Sequence, residues 1–287
     1  MTKTKKRLLI IFSVLFVFFV ALVIYIAWGN KAIELNEITV SSHKLPDSFD
    51  GFRVAHVSDL HNDEFGEDNE KLISILENSQ PDIIAITGDL IDSHHPDADI
   101  AISFAENAQK IAPCYYVNGN HEQRVPDDYA ELLEAFDEIG VMVLDNKAVS
   151  LSREDESINI IGVSDPGFET DYLFGDTAGV MRHHLGELVT DTEGYNLLLS
   201  HRPELFEVYT DYDVDLVLSG HAHGGQFRLP FVGGLYAPNQ WLFPRYDAGL
   251  YTDGDTDMIV SRGIGNSLFP FRFNNRPEVI LVELVCS

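Results

Sequence analysis

The chain has 287 residues, a hydrophobic fraction of 45% and a formal net charge of −27 at pH 7. That length suits one large domain with a sizeable core, and no internal repeat or low-complexity tract points to an array. The acidity repels nucleic-acid phosphates and anionic headgroups, so binding to a polyanion by charge is excluded and no nucleic-acid partner is expected.

Lys3, Lys5, Lys6 and Arg7 precede an uncharged apolar run at 8–28. That run exceeds the ~18 residues that mark a membrane-spanning helix. The competing reading is a cleaved signal peptide, whose apolar core should be shorter and followed by small residues, whereas Tyr25 and Ile26 stand there. An uncleaved anchor is therefore expected. Residues 1–7 form a basic cytoplasmic tail, 8–28 the span, 29–50 a juxtamembrane strand and linker, and 51–287 one domain outside the cytoplasm. This places the chain in the cell membrane, single-pass, with its N-terminus cytoplasmic. From Trp28 onward 15 Lys+Arg face 46 Asp+Glu, a net charge of about −31.

Residues 32–40 alternate apolar and polar side chains as a strand does. A strand at 52–58 runs into Asp59-Leu60-His61. A helix is predicted over 69–79, where Leu72, Ile73, Ile75 and Leu76 recur at helical spacing and Pro81 stops it. The buried strand 82–87 enters Gly88-Asp89, and a helix is predicted over 96–111. A strand at 115–117 enters Asn118-Gly119-Asn120-His121, followed by a helix over 126–139 with Pro126 just inside its start. From Gly140 short strands take over, at 141–144, 148–151 and 158–163. Strands at 195–199 and 214–218 end in Ser200-His201 and in Ser219-Gly220-His221-Ala222-His223, with a short helix near Pro203. Hairpin-like pieces over 229–251 and strands at 258–261 and 279–285 complete the chain. Strand–helix alternation followed by a strand-rich half predicts an α/β fold, a four-layer α/β/β/α sandwich. Cys114 and Cys286 are read as isolated small hydrophobes, with a disulfide between them as the alternative.

Five strand ends thus carry metal-ligand residue types: Asp59 with His61, Asp89, Asn120 with His121, His201, and His221 with His223. Carboxylate and amide oxygens with imidazole nitrogens suit a divalent ion such as Mn, Fe or Zn. Residues i and i+2 of an extended segment project to one side, so each spaced pair supplies two ligands. Each piece alone is weak, and an ordinary surface or core histidine explains His201 by itself. All five behind apolar strands predict a dinuclear centre, with the two oxygens of Asp89 bridging two cations.

The order Asp-x-His, Gly-Asp-x-x-Asp, Gly-Asn-His-Glu, His, Gly-His-x-His resembles the signature of the calcineurin-like metallophosphoesterases, from about Gly51 to the C-terminus. Residues 59–62, 220–226 and 275–278 are similar to the Asp-Leu-His-Asn, Gly-His-x-His-Gly-Gly-Gln and Asn-Arg-Pro-Glu elements of a membrane-anchored bacterial branch. That branch resembles phosphodiesterases, including hydrolases of UDP-diacylglucosamine and cell-wall-associated enzymes. The resemblance implies two divalent metal ions and hydrolysis of a phosphodiester or pyrophosphate by metal-bound hydroxide. It gives one metal to Asp59, His61, Asp89 and His223, and the other to Asp89, Asn120, His201 and His221. His121 resembles the histidine that protonates the leaving group, oriented by Asp92. Phosphoprotein phosphatases carry an arginine directly after that second carboxylate, and here Ser93 stands there. A protein-phosphatase reading therefore loses a phosphate contact. The alternatives are a broad-specificity phosphomonoesterase and, from a different class, a non-catalytic metal-binding scaffold at the cell envelope, against which the intact ligand set argues.

Other residues receive blander readings. His94 and His95 are taken as a solvated loop, with a position facing substrate as the alternative, His183 and His184 as surface histidines, and His56 as a satisfied core histidine. Asn62 and Arg124 are less favoured as phosphate contacts, Glu122 has no assigned role, and Asp63 and Glu64 belong to a loop. The aromatic run 227–251 is read as a long hairpin packed on its own sheet, with a substrate groove or a bilayer contact as alternatives. The short tether keeps a lipid-linked substrate in view.

Overall fold

A computed structural model describes residues 2–171, 175–189, 194–267 and 269–287. Helix α1 (Lys3–Gly29) is continuous, long and apolar enough to cross a membrane, and none of its residues is buried. Strands β1 (Glu34–Ser42) and β2 (Phe52–Val57), helix α2 (Glu70–Ser79), strand β3 (Ile83–Thr87), helix α3 (Ala98–Gln109), strand β4 (Cys114–Val117) and helix α4 (Pro126–Ile139) follow. Strands β5 (Met142–Val143), β6 (Lys147–Arg153) and β7 (Glu156–Gly162), helix α5 (Thr177–Leu188), strand β8 (Asn196–Leu199), helix α6 (Phe206–Tyr209) and strand β9 (Leu216–Ser219) come next. The last part holds the short strands β10 (Arg228–Leu229), β11 (Gly233–Gly234), β12 (Tyr236–Ala237) and β13 (Trp241–Leu242), then β14 (Gly249–Asp253), β15 (Thr256–Val260) and β16 (Glu278–Cys286).

Two six-stranded sheets form, in the orders β1-β16-β2-β3-β4-β5 and β14-β15-β9-β8-β7-β6. Their central strands β2, β3, β4 and β7, β8, β9 run parallel to their neighbours in that set. Such strands are covered on both faces and read as unbroken apolar runs. The alternation is visible in β3, where Ile84 and Ile86 pack toward α2, α3 and α4 with Leu72, Phe104 and Phe136. Ile83 and Ala85 instead meet Ile160, Leu197 and Leu218 of the second sheet. A third apolar layer joins Leu198 and Val217 to Met181 and Leu185 of α5 and Phe206 of α6. Three hydrophobic layers between four layers of structure make the expected α/β/β/α sandwich.

The departures are local. The first strand runs from Glu34 to Ser42 rather than over 32–40, because its register is set by parallel pairing with β16 from Glu34↔Glu278 to Ser42↔Cys286. The expected long hairpin over 227–251 is instead two separate two-stranded pieces, β10–β11 and β12–β13. Left-handed backbone at Phe231, Asn239, Trp241 and Phe243 interrupts the extended run every few residues. Both cysteines are free.

Candidate metal centre

The C-terminal ends of β2, β3, β4, β8 and β9 meet at one edge of the sandwich, the edge where open α/β sheets hold ligands. Backbone bonds stitch the first two loops together: Asp59 N–H donates to Gly88 O and His61 N–H to Asp89 O, each at 3.0 Å. Asp59, His61, Asp89, His221 and His223 all take left-handed φ values, between 46° and 64°. Each such non-glycine residue costs about 1–2 kcal/mol. Gly119 and Gly220 permit the closest approaches. A Cβ on Gly119 would lie 2.2 Å from Asp89 Oδ1, and one on Gly220 2.3 Å from Asp59 Oδ2.

Two groups of donor atoms result. In the first, His61 Nε2 and His223 Nε2 are 3.1 Å apart, and Asp59 Oδ1 lies 3.4 Å from His223 Nε2. In the second, His201 Nε2 lies 3.1 Å from both Asp89 Oδ2 and His221 Nδ1. Asp89 Oδ2 is also 3.6 Å from His61 Nε2, so a single oxygen reaches both groups. The other oxygen, Oδ1, accepts from His121 N–H at 2.8 Å. Asn120 is buried, and its Oδ1 has no hydrogen-bond partner among the described residues. Facing imidazole nitrogens at this range need a proton or a cation between them. Around a tetrahedral or octahedral ion with bonds of about 2.1 Å, ligand atoms sit about 3.0–3.4 Å apart. The separations match, and the donor chemistry fits divalent cations. A third convergence, of His61, Asp92 and His121, shares His61 with the first.

Outer contacts fix the rings. His201 Nδ1 donates to Thr87 O at 2.7 Å, leaving His201 Nε2 for an ion, and His221 Nε2 lies 3.0 Å from Asn239 Oδ1 and 3.2 Å from Arg202 Nη1, which hold the ring with Nδ1 toward His201. Burial takes His61 down to about 3. Burial, Arg202 and His201 hold His221 well below the ordinary histidine value, and burial, His61 and Arg272 do the same for His223. His201 is the exception: burial opposes its charge, but Asp89 outweighs burial and raises it to about 10. Burial pushes Asp59 up to about 6 against the pull of His201. Asp89 stays well below the carboxylate range despite its burial, because His201 and His121 favour its charge. In the metal-free site a proton on His201 thus faces the carboxylates, and loading must release it.

His121 lies beside these groups, its ring 4.4 Å from that of His61. Ser93 N–H donates to His121 Nδ1 at 3.0 Å, and Asp92 Oδ1 lies 3.4 Å from the same nitrogen. A backbone N–H only donates, so the neutral ring carries its proton on Nε2. Burial opposes a charge on this ring, but Asp89 and Asp92 outweigh it and hold the pKa above the ordinary value. A cleft of about 210 Å³ is lined by Asp89, Asn120, His121, His221 and His223, with His94 and Arg124 beside them. Tyr236, Pro238 and Phe269 add an apolar side.

Several roles were invisible in the sequence. Glu122 is fully buried and holds the Asp89 loop: Oε2 accepts from Asp89 N–H (3.0 Å) and Gly119 N–H (2.8 Å), and Oε1 from Leu90 N–H (2.7 Å) and Ile91 N–H (3.2 Å). A glutamate directly after a ligand loop was the only signal. Asn62 braces a loop, accepting from Asp92 N–H at 3.2 Å and donating to His95 O at 2.6 Å. Buried Arg202 pairs with Asp165 and donates to Asn239 Oδ1 at 2.9 Å, while Arg272 Nη2 lies 3.4 Å from His223 Nδ1. Asn275 donates to His223 O at 2.8 Å. One blander reading needs correction: His184 is buried against Glu169 rather than on the surface. His94 is exposed, as expected of a solvated loop, and borders the cleft 3.3 Å from Asp92. His95 and His183 are solvated as expected, and His56 Nε2 meets Thr87 Oγ1 at 2.8 Å inside the core.

A sequence model of the calcineurin-like phosphoesterases matches residues 52–225, from β2 to just past His223. The metallophosphoesterase YkuE of Bacillus subtilis (strain 168) is 34% identical over 88% of this chain and 85% of its own. The phosphodiesterase YaeI of Escherichia coli (strain K12) is 30% identical over 82% of each chain. Among solved structures, TT1561 of Thermus thermophilus shares the fold, with a TM-score of 0.53 at 14% identity over 75% of this chain and 90% of that one. The strand ends that carry the candidate ligands all fall inside the matched span, and the relatives extend the likeness on both sides of it. The chain belongs to the calcineurin-like phosphoesterase family and is a metal-dependent phosphoester hydrolase.

Proposed function

We propose that the chain is a two-cation phosphodiesterase that cleaves a phosphodiester or pyrophosphate bond in a lipid-linked or cell-envelope substrate. The observation that carries this reading is the position of Asp89 Oδ2, 3.1 Å from His201 Nε2 and 3.6 Å from His61 Nε2. One cation is assigned to Asp59, His61, Asp89 and His223, and the other to Asp89, Asn120, His201 and His221. Mn, Fe or Zn suits this donor set. Divalent cations bound there supply Lewis-acid chemistry, lowering the pKa of water and polarising phosphoryl oxygens.

The chain's own groups do the rest. Glu122 fixes the loop of Asp89 and so the spacing of the two ligand sets. His121 holds a proton on Nε2 beside the cleft, where the leaving oxygen of a phosphodiester can take it. Asp92, 3.4 Å from Nδ1, stabilises the imidazolium form before the proton leaves. The preference for a diester rests on charge. A monoester carries nearly two negative charges and a diester one, and the chain as a whole carries a net charge of −27, which repels the more highly charged substrate at a distance. Ser93, standing where phosphoprotein phosphatases carry their arginine, offers no cation for the second charge. The phosphodiesterase name of a relative 30% identical points the same way.

The domain is placed outside the cytoplasm, with 1–7 inside, 8–28 spanning, 29–50 linking and 51–287 catalytic, on the basic cluster before α1. The test uses the purified full chain with Mn²⁺. Higher kcat/KM for bis-p-nitrophenyl phosphate than for p-nitrophenyl phosphate is expected. The reverse order would favour the phosphomonoesterase, and hydrolysis of neither with Mn²⁺, Fe²⁺ or Zn²⁺ would leave the scaffold.

A further inference from the structure

The chain carries 46 acidic residues in 287, about one in six, yet two stretches carry none. No Asp or Glu occurs in 216–246 or in 258–277. These two stretches come together beside the cleft. Phe227 pairs with Phe273, Leu235 N–H donates to Phe227 O at 2.9 Å, and Phe243 N–H donates to Leu235 O at 2.9 Å. The result is a four-segment ladder with steps of about 4.8 Å. Its exposed side chains are large and apolar: Phe231 is fully exposed, Trp241 is 70% exposed, and Leu242 and Phe243 are exposed beside it. Phe227 packs edge-on against Phe269 and Phe271, 5.5 and 5.4 Å away, and Phe269 also lines the cleft. None of these rings is used by the chemistry.

The first rung of the ladder is joined to α1. Tyr25 Oη donates to Asn274 Oδ1 at 3.1 Å, and its ring meets Phe273 at 6.3 Å. Asn30, at the end of α1, grips the backbone of Arg272 twice, accepting from its N–H at 2.7 Å and donating to its O at 2.9 Å. Arg276 lies over the Trp28 ring at 4.9 Å. Tyr and Trp at the end of a spanning helix sit at the level of the lipid headgroups. Segments bound directly to them are therefore at that level too. We propose that the acid-free aromatic ladder of 227–243 and 269–273 is seated in the membrane face from which α1 emerges, so that the cleft opens beside the lipid and takes a phosphodiester with an acyl arm along its Tyr236–Phe269 side. The proposal rests on α1 spanning the membrane. It explains why the repulsion between an acidic domain and headgroups is lifted in these two stretches, and why Phe231, Trp241, Leu242 and Phe243 are exposed there.

The chain has only two tryptophans, Trp28 and Trp241, so each can be made the sole reporter. Full-length Trp28→Phe and Trp241→Phe are reconstituted into dioleoylphosphatidylcholine vesicles and into vesicles whose acyl chains carry bromine, a short-range quencher. Trp241 emission in the Trp28→Phe protein is expected to fall about twofold or more in the brominated vesicles, as for a side chain in the headgroup–acyl boundary. Equal emission in both vesicles, with Trp28 quenched in the other variant, would overturn the seated ladder while leaving the anchor. Neither reporter quenched would overturn both. Trp241 shielded from bromine and from aqueous iodide alike would mark a protein contact and also overturn the proposal. A second measurement compares Phe231→Ser/Trp241→Ser/Phe243→Ser with wild type. Its turnover of a vesicle-embedded diacyl phosphodiester relative to soluble bis-p-nitrophenyl phosphate should fall on the order of tenfold or more, and an unchanged ratio would remove the acyl arm.

Discussion

Glu122→Gln separates the positioning of a ligand loop from the stability of the fold. Each carboxylate oxygen of Glu122 accepts two backbone N–H groups, from Asp89 and Gly119 on one side and from Leu90 and Ile91 on the other. An amide of the same size turns one oxygen into a donor, so two buried N–H groups lose their acceptor. Bonds to a charged acceptor contribute about 1.5–3 kcal/mol each, a loss of about 3–6 kcal/mol. Against this stands the carboxylate's own burial. Burial and the charge of Asp89 push Glu122 from 4.5 up to about 7, in spite of its four donors. The unfolded chain therefore releases this proton first. The resulting cost grows as pH rises from 4.5 to about 7 and then stays at about 3 kcal/mol. The neutral amide removes it. Because the shift to about 7 already contains the four donors, the two effects largely offset at pH 8, and folding stability changes by less than about 3 kcal/mol in either direction. The loop is not spared, since Asp89 is displaced, and changes in the groups behind metal ligands lower affinity about 10–100-fold. Mn²⁺ titration calorimetry and urea unfolding of the metal-free full chain read the two quantities separately. Unchanged affinity would refute the loop role. A stability loss well above 5 kcal/mol would show that the carboxylate holds the whole sandwich together.

Three further outcomes are expected. His121→Ala should lower kcat about 10²–10⁴-fold on a diester with an alkyl leaving group, and much less on bis-p-nitrophenyl phosphate, whose leaving oxygen needs no proton; equal losses would contradict the acid role. His56 is held at about 3 by burial, against 6.5 when unfolded, so its contribution is complete above pH 6.5 and is lost as pH falls toward 3. Relative to His56→Gln, wild type should lose about 2 kcal/mol more between pH 7.5 and pH 5 in urea unfolding, and parallel pH curves would refute this. Gly119→Ala places a Cβ 2.6 Å from Asp89 N as well as 2.2 Å from Oδ1, so backbone must move. It should cost about 1–3 kcal/mol in thermal unfolding and release metal, and a metal-replete variant would show that the approach is looser than it is here.

What the sequence displayed was whatever short-range geometry dictates. The pairs Asp59/His61 and His221/His223 were legible because i and i+2 of an extended segment share a side, and the parallel strands because burial on both faces leaves runs such as 82–87 without a polar break. That Asp89 lies between the two groups of donors was expected from the chain order of its partners, but not the finer fact that Oδ1 is taken by His121 N–H and Oδ2 alone faces both groups. Contacts between segments far apart in the chain left no local trace. Glu122 reaches back 33 residues to Asp89, and Arg272 and Asn239 support His223 and His221 from the C-terminal third. The segment 227–251 misled because its apolar composition suggests a packed hairpin. Left-handed residues such as Trp241 and Phe243 break it into short pieces whose rings face outward.

Asp89 is proposed as a ligand common to two cations, and metal content reads this out. The purified full chain, saturated with Mn²⁺ and desalted, should hold two ions per chain by elemental analysis. Asp89→Asn weakens a ligand common to both and should retain fewer than one, with hydrolysis of bis-p-nitrophenyl phosphate falling in step. One ion per wild-type chain, or an Asp89→Asn protein that keeps two ions and its activity, would contradict the account.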